Sequence, residues 1–311
     1  MVSLVLHSIN LVSLDSQKRL TQQSLHPSAA SNYFNFSAFI QNPLLNEYLI
    51  ILTHTIVFGT LLYFILSCSS YTFLYIFNKE KYIPTLRTSD FKILHDIKWS
   101  LLNIWGEAFL VSMLRMAIPR YSFIYYDLAE YPLWVVPITI CLHVIWDETL
   151  TYWAHRFLHT YKWLYLKLHI VHHRSISITP FAGFAFHPID AFLQALPTFT
   201  SSFFFPLHYN IFLLFSVATT CWAISIHDNV PAMPCKLFLY ATHHTIHHEK
   251  GQGGHRNYGK FTTIWDRMMG SYEDPDRINF GWKHQSREAF FAPFNNFLAR
   301  TFNNLLAPKR D

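Results

Sequence analysis

Apolar residues in this chain are gathered into long blocks, and the polar stretches between them are rich in histidine. Three blocks, residues 48 to 68, 99 to 118 and 131 to 150, lie near the roughly 20 residues a helix needs to cross about 30 Å of hydrocarbon. They are predicted as membrane spans one to three. A fourth block, 190 to 227, is nearly twice as long and is interrupted by Pro197 and by Pro206, Leu207, His208, Tyr209 and Asn210. It reads as a helical hairpin that crosses in and back.

Basic residues orient these blocks, because loops rich in lysine and arginine stay cytoplasmic. The connection from 78 to 98 carries Lys79, Lys81, Arg87, Lys92 and Lys98, whereas 119 to 130 carries only Arg120. The pattern predicts a lumenal N-terminal tail (1–46), membrane spans (47–153), a cytosolic segment (154–189), the membrane hairpin (190–227), a second cytosolic region (228–284) and a C-terminal tail (285–311). The one glycosylation sequon, Asn35-Phe36-Ser37, falls in the lumenal tail. No charged start followed by a short apolar core and a cleavage site is present, so span one is expected to act as the targeting signal.

Composition agrees with a membrane class. Of 311 residues, 51% are hydrophobic and only 14% charged, well under the usual quarter. A mean hydropathy of +0.16 nevertheless requires substantial polar parts outside a bilayer. The formal charge of +5 suits cytosolic loops beside anionic lipid, and no basic patch interleaved with aromatics points to nucleic acid. Cys68, Cys141, Cys221 and Cys235 show neither disulfide nor zinc-site spacing.

The chemistry lies in the histidines. Of 19, 13 fall between His155 and His255. Box one is His155-Arg-Phe-Leu-His159, box two His169-Ile-Val-His172-His173, and box three His244-Thr-Ile-His247-His248, with His243 just before it. Spacings of three and four put side chains on one helical face, so each box can present two or three imidazoles to a common centre. One His-x-x-His-His match arises by chance in about 6% of chains of this histidine content; two such boxes and a further pair do not. Eight imidazoles exceed a single zinc site and suit two metals. Imidazole also accepts copper, iron or nickel. A dinuclear centre beside apolar helices suggests oxygen chemistry on a buried apolar substrate, which calls for a redox metal, and two iron ions are the expectation.

The order of the boxes, followed by Asn257-Tyr258-Gly259, Trp265-Asp266 and Gly270, resembles the sterol desaturase and fatty-acid hydroxylase superfamily over about residues 140 to 275. The run from Thr179 through Phe186, His187, Pro188 and Asp190, then Leu193 to Pro197, and Ser225-Ile226-His227-Asp228, are similar to the delta-7-sterol 5(6)-desaturase branch. Asn229 and Glu148 depart from it, standing where glycine and aspartate are usual. The resemblance implies an all-α, multi-pass membrane protein of the endoplasmic reticulum with a cytosol-facing di-iron site, a sterol substrate, dioxygen as oxidant and cytochrome b5 as electron donor. It adds His187 and His227 to the eight box histidines as metal ligands, and it has a counterpart for His243, although His244 fits the box spacing better.

Glu148, two helical turns before His155, is a candidate for orienting a ligand through a hydrogen bond. Its bland alternative is a carboxylate at the membrane boundary. Arg115 in span two is expected to snorkel to a boundary. His54, His143 and His208 read as hydrogen-bonded packing residues. The rival functions are hydroxylation of a sterol or fatty acyl chain by the same oxidant, and a membrane metal-binding or transport protein without redox chemistry.

Overall fold

The computed structural model describes residues 42–79, 90–175, 179–228, 237–249 and 256–275. The N-terminal tail with its sequon, residues 80–89 of the basic 78–98 connection, Asn229 and the C-terminal tail lie outside these residues.

Helix α1 (Pro43–Tyr71) opens on a cap in which Asn42 Oδ1 accepts from Leu44 and Leu45 N–H, and Pro43 takes the first helical position. It runs on through a π-helical turn, Thr72–Phe77. Helix α2 (Asp90–Tyr121) packs against it in the opposite sense. The direction follows from the pairs between them: Glu47 with Arg120 at 2.6 Å, Thr55 with Arg115 at 2.7 Å, and Thr60 with Trp105 at 3.3 Å. The Arg115 guanidinium donates to the hydroxyl of the neighbouring helix. Pro43–Phe77 and Lys92–Tyr121 are the two helices among the described residues that are long and apolar enough to cross a membrane. Little of the apolar stretch of α1 is buried by the rest of the protein, and Val57, Phe58, Leu61 and Ile65 face outward. Such a surface needs a lipid or protein cover.

After a short strand β1 (Ile124–Tyr125), helix α3 (Val135–Thr160) continues the third apolar block without a break into box one. A helical stretch over 162–173, here α4, is built from Lys162–Leu164, a π-helical turn Tyr165–His169 and Ile170–His173. The fourth apolar block is indeed two helices, α5 (Pro188–Thr200) and α6 (Tyr209–Ser225), separated by a 3₁₀ turn and strand β2 (Leu207–His208). They are about 20 and 25 Å long at 1.5 Å per residue, each shorter than the hydrocarbon core. β2 pairs in parallel with β1 through Ile124–Leu207 and Tyr125–His208. Helix α7 (Ala241–Glu249) carries box three, and the short α8 (Ile264–Met268) follows.

Helix α5 runs antiparallel to α3, with Gln194 beside Thr151, Thr198 bonded to Asp147, and Ser201 bonded to His143. Its start and the end of α6 both arrive at the box histidines. A 3₁₀ turn, Pro180–Phe184, precedes α5. Tyr63, Ser100, Ser67 and Asn103 from α1 and α2 donate to the carbonyls of Phe181, Phe181, Pro180 and Phe184 at 3.0–3.1 Å.

Candidate metal centre

Nine histidines converge in two adjacent groups. His155, His159, His169, His173 and His247 form one; His172, His227, His244 and His248 form the other. All nine are buried, and within each group the ligand atoms lie within 4.8 Å of one another. The groups touch: the His173 and His248 rings stack across the boundary at 4.6 Å.

Helical geometry explains the division. At 100° per residue, positions i and i+4 differ by about 40° in direction, while i+3 points about 100° away from i+4. The i, i+4 pairs therefore stay together: His155 with His159, His169 with His173, His244 with His248. The middle histidine of each triplet turns to the other group, His172 to the four-histidine group and His247 to the five-histidine group. The sequence reading that each box serves a common centre is corrected here. Boxes two and three each serve both groups, in reciprocal fashion.

Hydrogen bonding alone does not account for the arrangement. His155 Nδ1 donates to the Tyr258 carbonyl (3.0 Å), His169 Nδ1 to Asp190 Oδ2 (2.8 Å), His227 Nδ1 to the Ala223 carbonyl (2.5 Å) and His247 Nδ1 to the Arg256 carbonyl (2.7 Å). A neutral ring with its hydrogen on Nδ1 has a bare lone pair on Nε2. Yet Nε2 of His155 and Nε2 of His169 are 3.2 Å apart. In the second group the Nε2 atoms close a ring, from His172 to His227 (3.3 Å), His244 (2.9 Å), His248 (3.0 Å) and back to His172 (3.0 Å). An imidazole nitrogen holds either a hydrogen or a lone pair, so four such contacts share at most two hydrogens. Spacings of this size are those of imidazoles gathered about one cation at about 2.0–2.1 Å. The donor set therefore fits a pair of transition-metal ions.

Burial keeps seven of these rings in the ligating, neutral form. It pushes His155 down to about 3, with the His169 ring adding to the effect. Burial first, then neighbouring imidazoles, holds His159, His172, His173, His244, His247 and His248 far below the ordinary imidazole range.

A loop after box three fixes the supporting carbonyls. Asp266 accepts from Tyr258 N–H (2.8 Å), Gly259 N–H (2.9 Å) and Ser271 Oγ (2.7 Å), which aims the Tyr258 carbonyl at His155. Asn257, at φ 53°, bridges the His243 carbonyl and both backbone groups of Glu273. Glu148 serves this loop and not a ligand. Its carboxylate accepts from Phe261 N–H (2.8 Å), Thr262 N–H (3.0 Å) and Thr262 Oγ1 (2.9 Å). Asp147 beside it binds Lys260 Nζ at 2.7 Å.

His187 is not brought to either group. Its Nδ1 lone pair accepts from Ile189 N–H at 3.2 Å and caps α5, the role His208 plays for α6. His243 likewise points away, toward Tyr240 and Tyr272, and His244 takes the inward position. The sequence reading missed Asp190, Asp266 and Phe186, whose ring stacks on His172 at 3.8 Å. All three lie in the segments that carried the family resemblance, but no spacing rule singles them out. Three of the supporting groups are backbone carbonyls, those of Tyr258, Ala223 and Arg256, and leave no trace in residue type.

A family model described as fatty acid hydroxylase matches residues 140–271, the span that contains every histidine of both groups. Human lathosterol oxidase is 32% identical over 257 residues, covering 79% of this chain and 84% of that protein. A delta(7)-sterol 5(6)-desaturase of Schizosaccharomyces pombe is 33% identical over 226 residues, 71% of this chain and 72% of that protein. One from Candida dubliniensis is 31% identical over 282 residues, 83% and 69% respectively. The chain belongs to the sterol desaturase family. No solved structure gives a significant match. The sterol desaturase resemblance extends further than the residues 140 to 275 read from the motifs, since the aligned share of the chain is larger than that span. The family's oxidoreductase character agrees with a donor set made wholly of buried imidazoles.

Proposed function

We propose that this protein introduces the C5=C6 double bond into a delta-7-sterol. The reaction removes one hydrogen from C5 and one from C6, and with two further electrons and two protons reduces dioxygen to two waters. Two iron ions, one in each histidine group, would supply the activation of dioxygen and the abstraction of hydrogen from unactivated carbon. His155, His159, His169, His173 and His247 would hold one ion, and His172, His227, His244 and His248 the other. The Tyr258, Arg256 and Ala223 carbonyls keep their rings facing inward, and burial excludes bulk water from the centre. The observation that carries this reading is the convergence of lone pairs in two touching groups, in a chain whose relatives are named for this desaturation.

In this reading reduced cytochrome b5 delivers the electrons, and the centre faces the cytosol from a multi-pass protein of the endoplasmic reticulum membrane. With three spans and a hairpin that crosses in and back, tags at residues 1 and 311 should lie on opposite sides of the membrane; protease accessibility showing both ends cytosolic would remove a crossing.

The deciding experiment supplies purified, iron-loaded protein with a delta-7-sterol, dioxygen and a cytochrome b5 reducing system. A conjugated 5,7-diene, which absorbs in the near ultraviolet where the substrate does not, is the expected product. A hydroxysterol alone, or turnover of fatty acyl chains with sterols ignored, would overturn the desaturase assignment. Equal turnover with zinc in place of iron would overturn the redox role of the centre.

A further inference from the structure

Asp190 stands at the start of α5, three residues past the capping His187, and its carboxylate is wholly buried, as is the His169 ring it touches. One oxygen accepts from His169 Nδ1 at 2.8 Å and the other from Gln194 Nε2 at 2.8 Å, one turn along the same helix. Among the described residues, neither hydrogen-bond partner is a lysine or arginine. A buried carboxylate in such surroundings is costly unless a positive charge lies close. On its other side, His169 Nε2 faces two imidazole nitrogens, His155 Nε2 and His173 Nε2, each at 3.2 Å. One N–H does not serve both. A cation in the five-histidine group serves both and balances the carboxylate.

We infer that Asp190 is a positioning residue for the five-histidine site, holding His169 as the Nε2-ligating tautomer and supplying that site alone with a compensating negative charge. The inference rests on the reading that the five-histidine group holds a metal. Among the described residues, His169 is the one of the nine rings that bonds a carboxylate, whereas His155, His227 and His247 rest on neutral carbonyls. The four-histidine site has no such carboxylate bond to its rings among the described residues. The two sites are thereby made electrostatically unequal. A carboxylate on the far side of a ligating imidazole raises its basicity, and removing such a partner weakens metal binding by about 10- to 100-fold.

The test uses the full chain, purified without metal and titrated with cobalt(II), whose absorption reports its ligands, in competition with a chelator. Asp190→Asn retains the shape of the side chain and an oxygen able to accept from His169 but loses the charge; Asp190→Ala loses both. The expected result is two ions bound by the wild-type chain and, in each variant, one site weakened about 10- to 100-fold with an altered cobalt spectrum while the other is unchanged. Gln194→Ala, which removes a bond to the opposite oxygen, should shift affinity far less. Two sites of wild-type affinity and spectrum in both Asp190 variants would overturn the inference, and so would equal weakening of both sites, which signals a general packing role. A wild-type chain that takes up no cobalt, zinc or iron would instead overturn the underlying assignment of the histidine groups.

Discussion

Gly259 is the residue whose replacement tests how the centre depends on its supporting loop. A methyl group there would lie 2.2 Å from the Thr262 carbonyl oxygen and 3.1 Å from Asp266 Oδ2, the first far inside any contact a real Cβ makes. The offending oxygen is backbone and has little freedom. Thr262 N–H is held by Glu148, and the next residue, Thr263, donates to the Leu237 carbonyl at 2.8 Å. In Gly259→Ala the turn must open, and the nearest bond to break is that from Gly259 N–H to Asp266. Overpacking costs about 1–3 kcal/mol and a lost bond to a charged acceptor about 1.5–3 kcal/mol. A loss of about 3–5 kcal/mol follows, a large part of the 5–15 kcal/mol of a typical domain. The same opening carries the Tyr258 carbonyl away from His155, so metal affinity should fall as well. Thermal unfolding of the detergent-solubilised protein and metal content per chain measure the two effects. Gly270 provides the contrast: its φ of +70° disfavours alanine, but nothing lies within 4 Å of an added Cβ. Gly270→Ala should cost only about 1–2 kcal/mol. Equal melting temperatures and metal content for Gly259→Ala and the wild type would refute the account of the loop.

Replacing His172 or His247 by alanine removes a ligand from a different group in each case and should abolish sterol turnover while leaving protein yield near normal. His54→Ala should do much less, since its ring only bonds the Ile50 carbonyl of its own helix at 2.7 Å; full activity in both box variants would sink the ligand assignment. Glu148→Gln presents an amide donor to a backbone donor in the loop and should destabilise by about 2 kcal/mol, read from the unfolding midpoint. An unshifted midpoint would show that the bonds from Phe261 and Thr262 do not hold the loop.

Helical periodicity made the core of the centre legible. The i, i+4 pairs His155–His159, His169–His173 and His244–His248 could be read directly, as could the helical character of the apolar blocks. The exchange of His172 and His247 between groups follows from the same 100° step but needs the relative placement of three helices, which no single segment contains. His187 looked like a ligand because its neighbours resemble the family. Its backbone position before Pro188 makes it a helix cap instead, a role that depends on which lone pair is free after folding. Helical distance made Glu148 a candidate for orienting a ligand, whereas its carboxylate bonds Phe261 and Thr262. What it bonds lies more than a hundred residues onward in the chain, where spacing gives no guidance.

The grip of α1 and α2 on the Pro180–Phe184 turn bears on whether the catalytic half can be produced as a soluble fragment. The family match begins at residue 140, which invites removal of everything before it. Such a cut would strip four donors from the Pro180, Phe181 and Phe184 carbonyls and leave Tyr63, Ser67, Ser100 and Asn103 behind. At about 1 kcal/mol for each hydrogen bond, before any loss of packing, the segment leading to Phe186 and Asp190 would be released. The two helices are thus part of the enzyme's working frame as well as its mooring. Excision at residue 140 should yield a chain that loses its metal, whatever detergent or fusion partner keeps it in solution.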